Sequence, residues 1–273
     1  MILLVTLGPT LSFAQSSGRY FNRAIIVIFE NTEYGRTIQQ PFFKSLADQG
    51  ANFDQMYAIS RPSQPNYFAL TSGTTNNVQT NNNVDLDLTN IVDLLEARGL
   101  TWKAYVEDYP EKCFTGKSSG GYARKHNPFI SYLNIQGNPA RCANIVNASR
   151  FQADSKVGRL PNYVFYVPNN KNSAHDTSIQ YADKWYSKMF GPLVTNAAFM
   201  KDTVLISTFD EGSFTATKNQ IYTSIVGPMV KPGTYSDKVS IYSILKMLED
   251  NWNLGSLGRE DWKAKDLPQI WLK

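Results

Sequence analysis

Histidine and cysteine are both scarce in this chain of 273 residues, which contains two of each. A metal centre built from many histidines, such as a His-rich di-zinc site, is therefore excluded. Zinc usually brings more nitrogen or sulfur ligands than His126 and His175 can supply. We expect any metal site to use mainly carboxylate and amide oxygens, which suit Mg²⁺, Mn²⁺ or Ca²⁺, with Zn²⁺ left open.

The sequence also lacks any concentration of charge of one sign. The 27 Lys and Arg residues barely exceed the 23 Asp and Glu residues, and the net charge is +4, with no run of five like charges. Nothing in this pattern indicates binding to nucleic acid or to an anionic membrane surface. Internal repeats and low-complexity linkers are absent as well, so one large domain is the simplest organisation.

Long apolar stretches are lacking too, because none after the N-terminus approaches the roughly 18 residues of a membrane span. We therefore expect no stable membrane insertion. The N-terminal sequence MILLVTLGPTLSFAQ combines a short apolar stretch with small residues at Ser12 and Ala14. It predicts a secretory signal peptide at 1–14 and a mature extracellular domain at 15–273. No Lys or Arg precedes the apolar stretch, so a disordered or locally packed N-terminus is the alternative.

The two cysteines, Cys113 and Cys142, lie in a polar segment rich in Gly and Asn, residues 110–150. In a secreted protein an even pair predicts a disulfide that closes this weakly held segment, and two buried free thiols are the alternative. Asn147 begins the sequon Asn-Ala-Ser, which predicts a glycosylation site in a surface loop. We interpret residues 110–150 as an excursion inserted into the domain.

The rest of the chain alternates short β-rich apolar stretches with helical patterns. Such alternation predicts an α/β fold, a three-layer sandwich in which a central, mostly parallel sheet carries helices on both faces. The predicted strands are 24–29, 55–59, 101–106, 162–167, 203–209 and 221–226. The predicted helices are 41–49, 90–98 with Thr89 as its N-cap, 177–200 and 239–252.

Polar side chains follow the predicted strands at their carboxyl ends, where open α/β sheets bind ligands. These exits include Glu30-Asn31, Glu107-Asp108, residues 168–176 and Asp210-Glu211. Each exit alone is explained equally well as a solvated turn, but their coincidence at one edge of a sheet indicates a site. The first and last of them form an oxygen-rich set that suits one divalent cation.

Ser63 lies between two prolines in the segment SRPSQPNY, at the start of a predicted helix that runs to Leu70. A helix N-terminus attracts phosphate, and a metal ion can lower the pKa of a serine hydroxyl enough to make it a nucleophile. The alternative is that Ser63 only caps the helix. His175 is interpreted as an acid for a leaving group, as a phosphate contact, or simply as a loop histidine bonded to its neighbours.

Four motifs occur in the order found in a known family: FEN at 29–31, SRPSQPNYFALTSG at 60–73, VPNNKNSAHD at 167–176 and TFDEG at 208–212. They resemble the phosphoesterase family of bacterial phosphatidylcholine-type phospholipases C and bacterial and fungal acid phosphatases, in the alkaline phosphatase superfamily. YARKHNPF at 122–129 is similar to a further family segment. The resemblance, over about residues 24–228, implies an alkaline-phosphatase-like fold and hydrolysis of a phosphate ester.

The resemblance also implies roles for individual residues. Ser63 would be the nucleophile and would contact one divalent metal ion. The other metal ligands would be Glu30, Asn31, Asp210 and Glu211. The substrate phosphate or leaving group would lie near His175, Asp176, His126 and the amide of Asn66.

The sequence departs from the longer phospholipases C in one respect. Their segment DEHGG…DH corresponds here to DEGSFTATKNQIY at 210–222, which contains no histidine. The chain is more similar to the smaller acid phosphatase branch, and a second metal ion is not expected. The predicted function is therefore a secreted, metal-dependent phosphatase that hydrolyses small phosphate monoesters through a phosphoserine intermediate.

Two alternative functions remain open. Phospholipase C activity on phospholipid diesters would use the same nucleophile and would need an apolar approach to the site. Candidates for that approach in the excursion are Phe114, Tyr122, Phe129 and Tyr132. The other alternative is a non-catalytic secreted protein that binds phosphate esters. The sequence does not indicate an oligomeric state.

Overall fold

The structure is a computed structural model that describes residues 17–272. The predicted signal peptide at 1–14 lies outside the described residues, so the division into 1–14 and 15–273 stays a prediction. Within 17–272, no helix has both the length and the apolar character that are needed to cross a membrane.

The described residues form thirteen strands and eleven α-helices. The strands are β1 (Arg23–Phe29), β2 (Ala51–Phe53), β3 (Met56–Tyr57), β4 (Trp102–Val106), β5 (Ser118–Ser119), β6 (Tyr122–Ala123), β7 (Ile145–Asn147), β8 (Tyr163–Val167), β9 (Thr203–Phe209), β10 (Gln220–Ile221), β11 (Thr223–Val226), β12 (Gly233–Tyr235) and β13 (Val239–Ser240). The helices are α1 (Tyr34–Thr37), α2 (Pro41–Gln49), α3 (Gln64–Ser72), α4 (Ile91–Ala97), α5 (Leu133–Gln136), α6 (Pro139–Cys142), α7 (Ser149–Lys156), α8 (Ile179–Val194), α9 (Ala197–Met200), α10 (Ile241–Trp252) and α11 (Glu260–Lys263). Two 3₁₀ turns occupy Arg124–His126 and Pro128–Ser131.

Eight strands form the central sheet, in the order β12-β2-β11-β9-β1-β8-β4-β7. The strands β9, β1, β8, β4 and β7 run parallel, whereas β11 is antiparallel to both of its neighbours. Every residue of β8 and β9 is buried, as is typical of parallel strands that are covered on both faces. The predicted mostly parallel central sheet is confirmed.

The alternation of side chains shows which helices cover which face. Phe29 packs against Tyr186 of α8, with ring centroids 4.8 Å apart. Ile26, three positions earlier in β1, points to the opposite face and is paired in register with Phe165. Phe165 in turn contacts the ring of Tyr67 on α3. The sheet therefore lies between a layer that contains α8 and a layer that contains α3, as a three-layer sandwich.

The parallel strands end at the same level, which positions the residues that follow them. Phe29 of β1 is paired with Phe209 of β9, and Val106 of β4 with Val167 of β8. The carboxyl ends of these four strands consequently open at one edge of the sheet. The expectation that the polar exits share an edge is confirmed.

Two predicted strands are arranged differently in the structure. Of the predicted strand 55–59 only Met56–Tyr57 forms a strand, β3, which pairs with β10 and β13 in a separate three-stranded sheet. The strand β2, which joins the central sheet, lies before the predicted strand. The predicted strand 221–226 is divided between β10 and β11. Because β11 is antiparallel, its carboxyl end points away from the edge at which the polar exits meet.

The helix predicted at 90–98 begins one residue later than expected. Asn90, not Thr89, is its N-cap: Asn90 Oδ1 accepts from the N–H of Val92 at 3.0 Å, and Asp93 Oδ2 accepts from the N–H of Asn90 at 2.9 Å. This reciprocal pair is a capping box. The hydroxyl of Thr89 instead accepts a hydrogen bond from Arg259 at 2.7 Å.

The excursion at 110–150 is held more firmly than the sequence suggested. The predicted disulfide between Cys113 and Cys142 is confirmed, with 5.7 Å between the two Cα atoms. Its last part forms β7, which extends the central sheet beside β4. Asn147 lies in β7, and its Nδ2, the atom that would carry a glycan, donates to the carbonyl of Tyr109 at 3.0 Å. Glycosylation stays a prediction.

Candidate active site

Glu30 and Asp210 lie side by side because the strands that precede them are neighbours in register. The N–H of Asp210 donates to the carbonyl of Phe29 at 3.0 Å, and the N–H of Asn31 donates to Asp210 Oδ1 at 3.1 Å. Asn31 has a left-handed backbone with φ of 49°, which asparagine adopts more readily than most residues. The two strand ends therefore hold two carboxylates and an amide at one point of the sheet edge.

Ser63 joins this group from the start of α3. Its Oγ lies 3.1 Å from Glu30 Oε2, 3.1 Å from Glu211 Oε1 and 3.5 Å from Asn31 Oδ1. Asp210 Oδ1 accepts the N–H of Glu211 at 2.7 Å and so fixes the second acidic exit. Ser63, the predicted nucleophile, therefore lies within hydrogen-bonding reach of three predicted metal ligands. The fourth predicted ligand, Asp210, accepts hydrogen bonds from the N–H groups of two of them, Asn31 and Glu211.

The hydroxyl of Ser63 does not cap α3, which was its alternative role. Ser63 has helical φ and ψ of −52° and −56°, and its side chain makes no capping bond. The N–H of Gln64 donates to Asn81 Oδ1 at 3.1 Å, and Pro65 has no N–H to offer. The helix therefore presents few free amides to a phosphate at this end, in contrast to the sequence-based expectation, and contributes chiefly its dipole.

Two buried rings hold Glu30 from the other side. Tyr67, one turn along α3 from Ser63, donates its hydroxyl to Glu30 Oε1. The ring of Tyr67 stacks on His126 with centroids 5.5 Å apart, and His126 Nε2 lies 3.1 Å from Glu30 Oε2. Glu30, Tyr67 and His126 are all at most 2% exposed, so packing leaves the carboxylate little freedom to move.

Burial and the neighbouring charges shift the pKa values of the three carboxyl groups in different directions. Burial raises the pKa of Glu30, but His126, Lys125 and Tyr67 together outweigh it and lower the pKa to about 2. Burial raises the pKa of Glu211 to about 7, although the hydroxyl of Ser63 opposes it. Burial also raises the pKa of Asp210, and the charges of Glu30 and Glu211 raise it further. Three buried carboxyl groups cannot all ionise without a positive counter-charge.

The residues present fit the divalent metal ion that the sequence predicted. Asp210 Oδ2 and Glu211 Oε2 are buried and have no hydrogen-bond partner among residues 17–272. A buried carboxylate oxygen without a donor is costly, and a cation would satisfy both atoms while neutralising the repulsion. The surrounding carboxylate, amide and hydroxyl oxygens are the donors that hard cations prefer.

A second set of potential ligands shares Glu30 with the first. A carboxylate oxygen of Glu30 and ring nitrogens of His126 and His175 all lie within 4.8 Å of one another. The sequence did not predict this set, because it placed both histidines near the substrate. Glu30 is therefore the ligand that both sets have in common.

His175 lies on the more open side of the group, with its side chain 25% exposed. Its Nδ1 is 2.6 Å from Asp176 Oδ1, and its Nε2 is 2.9 Å from Lys125 Nζ. A carboxylate only accepts and an ammonium only donates, so Nδ1 carries the ring proton and Nε2 is the acceptor. The structure thus brings His175 beside His126, with ring centroids 5.5 Å apart, and adds Lys125 to the group.

Comparison with known proteins identifies the family. Residues 31–255 match the family model described as the Phosphoesterase family. The chain belongs to this family. The match covers Asn31, Ser63, Asp210, Glu211 and the two histidines, and Glu30 lies directly before it.

Three relatives carry names that agree with this membership. The probable acid phosphatase of Kluyveromyces lactis is 34% identical over 96% of this chain and 69% of its own length. The acid phosphatase of Aspergillus fumigatus is 33% identical over 96% of this chain and 62% of its own length. The phosphatidylinositol-3-phosphatase of Mycobacterium tuberculosis is 33% identical over 96% of this chain and 87% of its own length. The chain thus spans 62% to 69% of the length of the two fungal relatives.

A solved structure supports the predicted fold. A protein of the alkaline phosphatase superfamily from Vibrio parahaemolyticus matches with a TM-score of 0.64 and 16% identity, over 93% of this chain and 72% of that chain. This likeness confirms the alkaline-phosphatase-like α/β fold. Membership of the phosphoesterase family makes the chain a hydrolase that acts on ester bonds.

In this phosphoesterase Asn66 shapes the loop that presents Ser63. Its Oδ1 accepts from the N–H groups of Ile59 and Ser60, both at 2.9 Å. Its Nδ2 donates to the carbonyls of Ser60 at 3.0 Å and Pro62 at 3.3 Å. Both amide hydrogens are therefore engaged, and the predicted contact between Asn66 and the substrate phosphate stays a prediction.

The four aromatic residues of the excursion that were candidates for an apolar approach pack inside the phosphoesterase. Tyr122, Phe129 and Tyr132 are at most 2% exposed, and Phe114 is partly buried against the same core. The feature that a phospholipase C was expected to need is therefore not formed by these four residues.

Sequence reasoning missed two residues of the site, Tyr67 and Lys125. Tyr67 is four positions after Ser63, the spacing that places two side chains on the same face of a helix, and this was the available signal. Lys125 lies in the family-like segment YARKHNPF, directly before His126. Neither signal shows by itself that the side chain reaches the site.

Proposed function

We propose that this phosphoesterase hydrolyses phosphate monoesters outside the cell, with Ser63 as nucleophile and one divalent metal ion as cofactor. The observation that carries the proposal is the position of Ser63 Oγ, within 3.5 Å of oxygens of three predicted ligands. A hydroxyl that shares its surroundings with a cation site is well placed to lose its proton. The acid phosphatase names of the fungal relatives support the monoester class of substrate.

The metal ion would be held by the oxygen-rich set at the sheet edge, which comprises Glu30, Asn31, Ser63, Asp210 and Glu211. Bound there, it supplies a Lewis acid that lowers the pKa of the serine hydroxyl and offsets the charge of the phosphate. The unpartnered oxygens of Asp210 and Glu211 support this ligand set. Turnover measured with each of Mg²⁺, Mn²⁺, Ca²⁺ and Zn²⁺ added separately would identify the ion.

In the proposed reaction Ser63 Oγ forms a bond to phosphorus as the bond from phosphorus to the leaving oxygen breaks. Glu211 Oε1, 3.1 Å from Oγ, is placed to accept the serine proton. Water then cleaves the phosphoserine and releases phosphate. His175 as the acid for the leaving oxygen stays a prediction, because Nε2 faces Lys125 and has to gain a proton before it can donate one.

The Ser63→Ala variant tests the nucleophile. We expect its kcat/KM for p-nitrophenyl phosphate to fall by more than about a thousandfold, because no other group can form the covalent intermediate. Ser72→Ala, at the other end of α3, is the matched control and should retain the wild-type rate. Wild-type turnover by Ser63→Ala would contradict the assignment, and wild-type turnover after exhaustive chelation would contradict the metal requirement.

The same assay separates the alternative functions. A panel of a soluble monoester, a soluble diester and phosphatidylcholine, each with and without added metal ions, should show the highest turnover for the monoester. Higher turnover of phosphatidylcholine would favour phospholipase C activity. No turnover of any phosphate ester with each metal supplied would favour the non-catalytic binding protein.

Secretion forms part of the proposal. The disulfide between Cys113 and Cys142 supports it, because structural disulfides persist in oxidising compartments. The predicted signal peptide leads us to expect that protein recovered from the culture medium begins near Gln15. N-terminal sequencing of that protein tests this expectation, and a secreted chain that still begins at Met1 would contradict it.

A further inference from the structure

Lys125 reaches the candidate site from the 3₁₀ turn Arg124–His126 of the excursion. Its side chain is half-buried, and its Nζ lies 2.9 Å from His175 Nε2. Among residues 17–272, no carboxylate lies within ion-pair distance of this ammonium. A half-buried ammonium that faces the candidate site and has no anionic partner is available to an anion bound there.

The neighbouring Arg124 fixes the turn that carries Lys125. Arg124 Nη1 donates to the carbonyl of Thr115 at 2.7 Å, and Nη2 donates to the carbonyl of Val84 at 2.8 Å and to Asp85 Oδ1 at 2.5 Å. The side chain of Arg124 is only 4% exposed, whereas that of Asp85 is 54% exposed. These bonds anchor the turn that carries Lys125, and the contact with His175 Nε2 positions its ammonium.

Not every N–H group of the Lys125 ammonium is used by its bond to His175. Asp176 accepts the Nδ1 proton of His175, so His175 Nε2 accepts from the ammonium of Lys125. This bond uses one of the three N–H groups of the ammonium. The other two are available to a ligand in the site.

The charge balance of the site also calls for a cation at this place. Glu30, Asp210 and Glu211 supply three carboxyl groups, so with all three ionised one divalent ion still leaves an excess of negative charge, which does not attract a phosphate. Lys125 lies close enough for its charge to act on both Glu30 and Glu211. A phosphate bound beside those carboxylates needs a second positive group, and charge-assisted hydrogen bonds from an ammonium are strong contacts to phosphate oxygens.

We propose that Lys125 is a phosphate-binding residue, whose ammonium donates to a non-bridging oxygen of the substrate phosphate while His175 Nε2 holds it in place. The inference rests on the proposed function, since it assumes that the substrate carries a phosphate group. In this proposal the excursion contributes a fixed cation to a site whose other groups are mainly acidic.

The binding of inorganic phosphate by Lys125→Met tests the proposal. We expect the Kd for phosphate, measured by titration calorimetry on metal-loaded protein, to rise about 10- to 100-fold, which corresponds to the loss of one charge-assisted hydrogen bond. The KM for a monoester should rise by a similar factor, and the ratio of rates for good and poor leaving groups should stay unchanged. Lys125→Arg, which keeps the charge, should retain most of the affinity.

Two controls make the outcome decisive. Lys171→Met removes an exposed lysine from the loop that carries His175 and should leave the Kd unchanged. Metal content and thermal midpoint are measured on the same samples, so that a loss of metal or of folding is recognised. If Lys125→Met binds phosphate as tightly as wild type, the proposal is overturned.

The leaving-group series separates a second mode of failure. A loss confined to poor leaving groups, at unchanged Kd for phosphate, would make Lys125 act on the leaving oxygen and would also overturn phosphate binding as its role. Failure of the proposed function looks different, because the wild-type protein itself would then neither hydrolyse a monoester nor bind inorganic phosphate.

Discussion

Glu30 is the residue at which the two halves of the site meet. Its Oε2 faces both the hydroxyl of Ser63 and the ring of His126, at 3.1 Å each. Its Oε1 accepts the hydroxyl of Tyr67. A ligand whose orientation is set by a buried partner binds a metal ion more tightly than a free one, because the partner fixes the lone pairs that face the ion.

The Tyr67→Phe variant tests this role of Tyr67. The substitution removes only the hydroxyl, so the ring still packs on His126 while one bond to Glu30 is lost. We expect the Kd for the metal ion to rise about 10- to 100-fold, the usual effect of losing a partner of a metal ligand. Calorimetric titration of the metal-free protein measures it.

Tyr132→Phe is the matched control for Tyr67→Phe. Tyr132 is as deeply buried as Tyr67. Its hydroxyl forms a hydrogen bond of 2.6 Å with Thr71 Oγ1 on α3, the helix that carries Tyr67, and not with Glu30. Its loss should lower stability without changing the Kd for the metal ion. Equal metal affinity of wild type and Tyr67→Phe would show that Glu30 does not need Tyr67 for its orientation.

Residues that directly follow strands were the predictable part of the site. Glu30, Asn31 and Asp210 come from in-register neighbouring strands, so sequence position alone brings them together. Lys125 depends on how a polar excursion folds, which no periodicity describes. The hydrogen bonds of Asn66 to backbone groups depend on the shape of one turn, which the sequence pattern does not describe.

At the scale of elements, the loop 168–176 is held by Glu107, the residue that follows β4. Glu107 Oε2 accepts the N–H of Asn169 at 2.9 Å and the side-chain amide of Asn172 at 2.6 Å. Its Oε1 accepts the hydroxyl of Tyr166 at 3.1 Å. The carbonyl of Ser173 then accepts the N–H of Glu30 at 2.9 Å, so this loop connects Glu107 with the candidate site.

We predict that Glu107→Gln lowers kcat/KM for a monoester by about 10- to 100-fold, because small displacements of positioned groups are costly in catalysis. The amide would set a donor against one of the three donors that the carboxylate now accepts. Hydrogen exchange at residues 169–173 should become faster, and the phosphate Kd and the rate should change together. Steady-state kinetics and exchange mass spectrometry measure these effects.

Glu111→Gln provides the control for the loop prediction. Glu111 lies four residues after Glu107 but forms an ion pair of 3.0 Å with Arg150 and does not contact the loop 168–176. The Glu111→Gln variant should therefore leave both the rate of hydrolysis and the hydrogen exchange of the loop unchanged. Faster exchange in Glu107→Gln at a wild-type rate would mean that the loop does not govern the positions of His175 and Asp176.

The elements with strong patterns were predicted closely, and those without were not. β1, β4, β8 and β9 are mostly apolar and mostly buried, and they begin and end within about one residue of the prediction. Strands of two or three residues, such as β2, β3 and β12, are too short to carry a periodic signal. β7 was missed since it lies in a polar segment and is defined only by its pairing with β4.

At the scale of the whole molecule, Glu249 couples the stability of the fold to pH. It lies on α10 and is 1% exposed, and neither of its carboxylate oxygens has a partner among residues 17–272. The nearby Asp261 is also buried, but its oxygens accept the N–H groups of Leu257 at 2.8 Å and Arg259 at 2.9 Å. Burial, and then the charge of Asp261, raise the pKa of Glu249 to about 8.

The sign of the effect follows from where the proton is held. The pKa of Glu249 is raised from 4.5 to about 8 in the folded protein. Between these two pH values Glu249 keeps its proton in the folded protein, whereas the unfolded chain has released it. The stabilisation is fully present below about pH 4.5 and is lost as the pH rises through 8, by up to about 1.4 kcal/mol of unfolding free energy per pH unit.

Glu249→Gln, which cannot ionise, should therefore lack this loss and become more stable than wild type as the pH rises from about 5 to about 8. Urea unfolding across that range measures the difference, with the exposed Glu260→Gln as the control that should follow wild type. Parallel stability curves for wild type and Glu249→Gln would show that Glu249 is not the buried acid that limits this fold at higher pH.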